Sequence, residues 1–419
     1  MKSAAPNKGR VFSICLAHLL NDWYMNYLQS LLPFMLAAGL GVSRGAFLIS
    51  AFTITSSLLQ PVSGYLVDQR NQRWLVYAGT LWMAVLLGLV GIIRDYSLMV
   101  FTVALAGLGT AAFHPQASAM ITAMSGERRG FFQALFITSG NMGWALTPPL
   151  VVPFVQFYGL ELTPVLMLPG VLTAVLLWFH APTVQAGPRT PPPPLWPTLR
   201  PVWAELTKVV LVVACRSLAY FSLVAFLPLY LQHENISLLT GSRLLFLMLA
   251  SGAMGGMVGG YLSDLFGRKV VIVTSLMAAS PLFYLFLGTG GVLSYLLLAL
   301  AGAALLASFS VTIVVAQEAV YKNAAMAAGL MLGFGIGVGG LGVGLMGLLV
   351  EHMGIRYAIH LLIWVPLLAG LLGLTIEGKK SSVSCPQMAD MVVAAGSPGC
   401  AGGCAPEVAR RSPSPETNE

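Results

Sequence analysis

Charged side chains are scarce in this sequence, at 9% of 419 residues, while hydrophobic residues make up 57%. A soluble domain carries about 25% charged residues, so a water-exposed globular chain is excluded. Mean hydropathy is +0.81. No Asp, Glu, Lys or Arg occurs anywhere in 270–317, and the stretches 74–93, 97–125, 131–160, 244–263, 323–350 and 357–376 are equally bare. Each is long enough for a bilayer crossing, which takes about 20 apolar residues. The strict apolar–polar alternation of a membrane β-barrel is also missing, leaving helices as the spanning element. Cysteine is sparse as well. Cys15 and Cys215 fall in apolar runs, and Cys385, Cys400 and Cys404 lie in the polar C-terminal stretch without a histidine among them. That pattern gives neither a disulfide framework nor a zinc site. No phosphate loop or nucleophile–base pair is visible, so no cofactor, metal or enzymatic activity is expected. The string Gly337-Val338-Gly339-Gly340-Leu341-Gly342 spells a dinucleotide fingerprint, but it sits in an apolar run with no strand before it.

What is present divides at charges and Gly/Pro turns into twelve expected spans, near 11–38, 45–66, 74–93, 97–123, 131–156, 162–180, 208–232, 242–262, 270–289, 292–318, 326–350 and 356–376. The basic N-terminus resembles a signal peptide in its first residues, but Asn21-Asp22 interrupts the apolar core and no A-x-A site follows, so an uncleaved first span is expected. With both termini in the cytoplasm, 17 Lys and Arg fall on that side and only Arg44, Arg94, Arg243 and Arg356 on the other. The positive-inside rule selects that orientation. It also accounts for the net charge of +7 without nucleic acid as a partner. Prolines crowd 181–201 (Pro182, Pro188, Pro191 to Pro194, Pro197, Pro201), which predicts an extended spacer. The expected organisation is a six-helix bundle over 1–180, a cytoplasmic linker over 181–204, a second six-helix bundle over 205–377, and a disordered tail over 378–419.

The two halves repeat a pattern. Gly64-Tyr65-Leu66-Val67-Asp68-Gln69-Arg70-Asn71-Gln72-Arg73 follows the second span, and Gly260-Tyr261-Leu262-Ser263-Asp264-Leu265-Phe266-Gly267-Arg268-Lys269 follows the eighth, at an offset of 196. Gly130, Gly140 and Gly143 correspond to Gly329, Gly339 and Gly342 at an offset of 199. Parallel six-helix repeats are a transporter architecture. The second copy matches G-x-x-x-D-x-x-G-R-K in full and so resembles the signature loop of the major facilitator superfamily. The first copy keeps Gly64, Asp68 and the basic Arg73 but has Asn71-Gln72 where Gly-Arg stands in that loop. Through most of its membrane region the chain resembles the fosmidomycin-resistance family of drug exporters. The segments that carry this are His18-Leu19-Leu20-Asn21-Asp22, Ser57 to Tyr65, Phe113-His114-Pro115, Ser139-Gly140-Asn141, Ala316-Gln317-Glu318 and the glycines from Gly329 to Gly342. Gln116 is a departure, since that family has Glu after His-Pro. The resemblance implies the all-α, twelve-span fold of two pseudo-symmetric bundles, and export as the direction of transport.

An ionisable group within a span costs about 2.5–3.5 kcal/mol or more, so each one invites a functional reading. His18 and Asp22 are spaced i, i+4 on one face, and Gln29 returns to that face after three turns. Asp22 is the expected proton-responsive group, with His18 and Glu318 as relay partners. Glu318 stands four residues before Lys322 near a helix end, and its relay role rests mainly on the family resemblance. Arg216 lies eight residues past Lys208, about 12 Å into the bilayer. The repeat offset places it opposite Asp22 across a central cavity, where the two charges would ease each other's burial. His114 and Gln116 flank a helix-kinking proline, and Asn141 lies in a degenerate antiporter-like run, Gly140-Asn141-Met142-Gly143 with Pro148-Pro149; all three are candidate cavity residues. Gly64, Asp68, Arg73, Gly260, Asp264, Gly267, Arg268 and Lys269 are expected to act as conformational latches, with Asp68 and Asp264 set against helix N-termini. The expected function is proton-coupled export of a small drug-like or anionic organic molecule by a monomer in the inner membrane. Proton symport of an organic anion is the second reading, and a non-transporting membrane sensor the third.

Overall fold

A computed structural model describes residues 8–60, 63, 72–124, 129–182, 200–320 and 324–377. The first span is not one helix but two, α1 (Lys8–Met25) and α2 (Tyr27–Ala37), with the break at Asn26. It is followed by α3 (Val42–Leu58), α4 (Trp74–Leu89), α5 (Tyr96–Met124), α6 (Arg129–Tyr158) and α7 (Leu168–His180). The second half contains α8 (Trp203–His233), α9 (Leu238–Phe266), α10 (Arg268–Gly288), α11 (Gly291–Ala319) and α12 (Ala324–Met353), ending in α13 (Ile355–Leu362) and α14 (Val365–Gly373). Three 3-10 turns precede or extend these rods, the longest being Leu160–Met167 ahead of α7. Among the described residues there is no strand. Among the described residues, nine uninterrupted helical stretches are by themselves long and apolar enough to cross a bilayer, from Trp74–Ile92 to Ile355–Gly373.

Proline explains several interruptions. Pro164 lies in the 3-10 turn, and Pro366 stands at the start of α14, where its missing N–H costs nothing. The expected turn at Gly288 to Gly291 is where α10 ends and α11 begins, and Gly291 takes φ +66° there.

The same pattern of neighbours occurs twice. In the first half α1 packs on α6 and α7, and α4 packs on α5 and α7, while α3 also packs on α5. In the second half α8 packs on α12 and α14, α10 on α11 and α14, and α9 on α11. The chain is thus an all-α membrane fold of twelve spans in two pseudo-symmetric six-helix bundles. Two long contacts join the bundles, α3 with α12 and α6 with α9. The α3–α12 contact is closest towards Glu351. There Ser43 hydrogen-bonds Glu351, Ser50 donates to the carbonyl of Gly340 at 2.6 Å, and a Cβ on Gly340 or Gly344 would meet Thr53 or Ser50 within 2.8 Å. Towards the other end it loosens to ordinary packing, and a Cβ on Gly337 or Gly333 would find its nearest atom, in Ser57, at 3.9 or 3.6 Å.

Candidate functional site

Most of the candidate chemistry in the first bundle converges where α1, α5 and α6 meet. Asp22 is 8% exposed and His18 6%. The His18 Nδ1–H donates to the carbonyl oxygen of Phe136 at 2.6 Å, because that oxygen can only accept. His18 also stacks on the Phe136 ring at 3.8 Å between centroids. With Nδ1 so engaged, Nε2 faces Asp22 Oδ2 at 3.5 Å, and His114 Nε2 meets Asp22 Oδ1 at 2.9 Å. One carboxylate is therefore held between two imidazoles. The helix spacing within α1 supplies the first pair; the second comes from α5, 92 residues further along. The face of α6 admits this cluster through Gly140, where a Cβ would fall within 2.7 Å of His18 Nε2 and closer still to Asp22 Oδ2. The run around Gly140 thus has a packing role that spacing alone did not show.

Proline-freed carbonyls nearby are satisfied from other helices. Pro148 cannot donate to the carbonyl of Trp144, and Asn26 Nδ2 does so instead at 2.9 Å. Pro115 likewise frees the carbonyl of Ala111, which accepts from the Ser63 hydroxyl. The other polar candidates are dispersed. Gln29 is buried and neither of its amide atoms has a hydrogen-bond partner among the described residues. Gln116 is buried, His114 half-buried and Asn141 exposed.

Arg216, on α8 in the second bundle, is 3% exposed. Its guanidinium donates to the Thr312 hydroxyl at 3.3 Å and lies over the Phe309 ring, 4.8 Å from the centroid. The expected pairing with Asp22 is not formed. Asp22 is engaged by histidines of its own bundle and Arg216 by α11 of the other. Tyr220, one turn along α8 from Arg216, is within electrostatic reach of both charges. Its ring contacts Phe221, which packs against Trp144 of α6 with centroids 5.6 Å apart. An aromatic bridge therefore links the two bundles beside the two charges.

Glu318 stands apart from this cluster. It is exposed at the end of α11 and pairs with Arg268 at 3.3 Å. Arg268 also pairs with Asp264 and donates to the Ser263 hydroxyl at 2.7 Å. The loop therefore closes on itself and on α11, whereas a helix N-terminus was the expected partner of Asp264. Gly267 takes φ +96°, a left-handed turn that lets α10 start directly after α9. Gly260 and Lys269 are half-buried and Arg73 is exposed. Gly64 and Asp68 lie outside the described residues. An apolar groove between α9, α10 and α11, lined by Val258, Leu262, Val271 and Ala307 among others, contains no charged side chain and none of these groups.

Two pseudo-symmetric helical bundles with buried charged groups in membrane-spanning helices are the architecture of a membrane transporter. The family model described as Major Facilitator Superfamily matches residues 14–340, and the chain belongs to that superfamily. It is 30% identical over 378 residues to the fosmidomycin resistance protein of Escherichia coli (strain K12), covering 87% of this chain and 91% of that one. It is 28% identical over 372 residues to an uncharacterized MFS-type transporter, YfnC, of Bacillus subtilis (strain 168), covering 85% and 90%. Among solved structures, a bacterial homolog of the human lysosomal transporter Spinster, inward-facing and unoccupied, matches with a TM-score of 0.72 at 15% identity over 90% of this chain and all of that one. The occupied inward-facing form of that homolog matches with a TM-score of 0.73 at 15% identity, covering 87% and 96%.

Proposed function

We propose that the protein is a proton-coupled exporter of a small drug-like or anionic organic molecule, and not an enzyme. The observation that carries this is the Asp22 carboxylate held between His18 and His114 within a membrane bundle. His18 Nδ1 is committed to a carbonyl, so in the neutral ring the Nε2 lone pair faces Asp22 Oδ2 at 3.5 Å. Two acceptors at that distance repel unless a positive charge stands between them. Gain and loss of one proton there changes the charge of the bundle beside Tyr220 and α8, which is the change an alternating-access cycle needs.

Both termini are taken as cytoplasmic, in an inner membrane, from the distribution of Lys and Arg. The bundle boundaries at 1–180 and 205–377 rest on the proline-rich stretch between them and on the polar composition that follows Glu377. In that orientation the tight end of the α3–α12 contact is external, which supports entry of substrate from inside. Glu318 is assigned to the cytoplasmic latch with Arg268 and Asp264. Arg216, with a hydroxyl and a ring for neighbours and no carboxylate, supports an anionic substrate group, which a guanidinium fork would hold through two oxygens. Fosmidomycin is the first compound to try, because it names the resistance of one relative.

The test is transport by purified protein in vesicles with an imposed proton gradient, wild type against Asp22→Asn. Gradient-driven movement in the wild type and its loss in the variant is the expected result. Equal movement with and without a gradient would remove proton coupling, and uptake in place of export would select the symport reading.

A further inference from the structure

We propose that His18, Asp22 and His114 form a binding site for a divalent transition-metal ion of the zinc type. The proposal rests on ligand geometry and stands apart from the identity of the coupling ion. Two imidazoles and one carboxylate are a donor set that zinc, cobalt and nickel accept. One ligand atom from each residue lies within 4.8 Å of the other two, and the imidazoles face different oxygens of the carboxylate, His114 Nε2 at 2.9 Å from Oδ1 and His18 Nε2 at 3.5 Å from Oδ2. Ligands at about 2.1 Å from a tetrahedral ion stand about 3.4 Å apart, so small side-chain rotations complete the site.

Two further features belong to a metal site more than to a chance cluster. The Phe136 carbonyl accepts a hydrogen bond from His18 Nδ1–H, which orients the ring and leaves Nε2 free to ligate, the outer-shell contact usual for metal-binding histidines; the buried Nδ1 of His114 has no such partner among the described residues. The repulsive approach of His18 Nε2 to Asp22 Oδ2 is also relieved by a cation shared between them. Gly140 keeps α6 close without a side chain entering the space. Three protein ligands leave a fourth position for water. The sequence shows only the i, i+4 half of this site, because His114 reaches it from another helix.

The experiment is titration of the metal-stripped, untagged full-length protein in detergent with Co2+, read by its visible absorption, followed by competition with Zn2+. The protein carries Cys385→Ser, Cys400→Ser and Cys404→Ser to remove the tail thiols. The expected result is one bound Co2+ per chain with the intense absorption of a four- or five-coordinate site, displaced by Zn2+. His114→Gln and His18→Gln should each weaken Zn2+ by at least about tenfold, as ligand loss should cost no less than loss of an outer-shell partner. His233→Gln, remote from the cluster, should bind as the parent does. Failure to bind Co2+, or binding that survives both cluster substitutions, overturns the proposal. A substituted protein that does not fold is recognised by its elution profile, and Asp22→Glu, which keeps the charge and donor type, then supplies the comparison through a changed Co2+ spectrum. Normal gradient-driven transport by Asp22→Asn would sink the coupling reading and leave the Co2+ result as it is.

Discussion

His18, Asp22 and His114 show how far a single residue can be read before its neighbours are known. The i, i+4 spacing brings His18 to Asp22, and the scarcity of charge singles out both. His114 is marked by its proline and by the family resemblance of Phe113-His114-Pro115, but no spacing rule connects it to Asp22, 92 residues away. Arg216 was legible as buried, but its partner was not. Repeat symmetry placed it opposite Asp22, while local packing gave it Thr312 and Phe309. Two predictions belong at this scale. Gly140→Ala should press a methyl into His18 and Asp22 and destabilise the bundle by about 1–3 kcal/mol, read as a lower melting temperature together with weakened transport. Unchanged melting and transport would show that α6 moves aside freely. Arg216→Lys keeps the charge but loses the fork. It should weaken an anionic ligand at least about tenfold, the 1.4 kcal/mol equivalent of one good charged hydrogen bond, while sparing a neutral ligand. Equal losses for both would leave Arg216 a structural role only.

Helices were easier to read than their defects. The bare runs and glycine turns predicted most span boundaries to within a few residues, because hydrocarbon thickness demands a minimum length and charge marks each exit. The break at Asn26 was hidden. Nothing in the local sequence distinguishes an asparagine that interrupts a helix from one that does not. The cause lies on α6, where Pro148 leaves the Trp144 carbonyl without a donor and Asn26 turns out to supply one. Around Asn26 the helix bonds are stretched, to 3.3 Å from its own N–H to Asp22 and 3.4 Å from Ser30 to its carbonyl. Asn26→Leu should therefore remove a hydrogen bond from a carbonyl with no water to replace it, at a cost of about 1–3 kcal/mol. Thermal melting measures this, and an unchanged melting temperature would mean that another donor replaces Asn26. The signature loop was likewise half legible. Its residues were identified, but the carboxylate of Asp264 meets Arg268 of its own loop, and Arg268 reaches Glu318.

At the scale of the molecule, α3 and α12 of the two bundles touch through small residues, more tightly at one end than at the other. Near Glu351 a Cβ added at Gly347, Gly344 or Gly340 of α12 would lie within 2.8 Å of α3, whereas beyond Thr53 the contact loosens to ordinary packing distances. If the tight end is an external gate, joining it covalently should stop the cycle without destroying the site. A Cβ on Gly344 lies 3.7 Å from that of Ser50, within the range of about 3.5–4.5 Å over which a disulfide forms without strain. Ser50→Cys with Gly344→Cys should therefore cross-link under mild oxidation in vesicles. Transport should fall to the background of empty vesicles and return with reductant. Ligand binding to the oxidised protein in detergent should persist, because the opposite end stays free to open. The single substitutions control for the added methylene and thiol on α12, since a Cβ at position 344 meets the Ser50 hydroxyl even without the bond. Undiminished turnover by fully cross-linked protein would show that α3 and α12 do not part during the cycle, and the gate would then have to lie at the second junction, between α6 and α9.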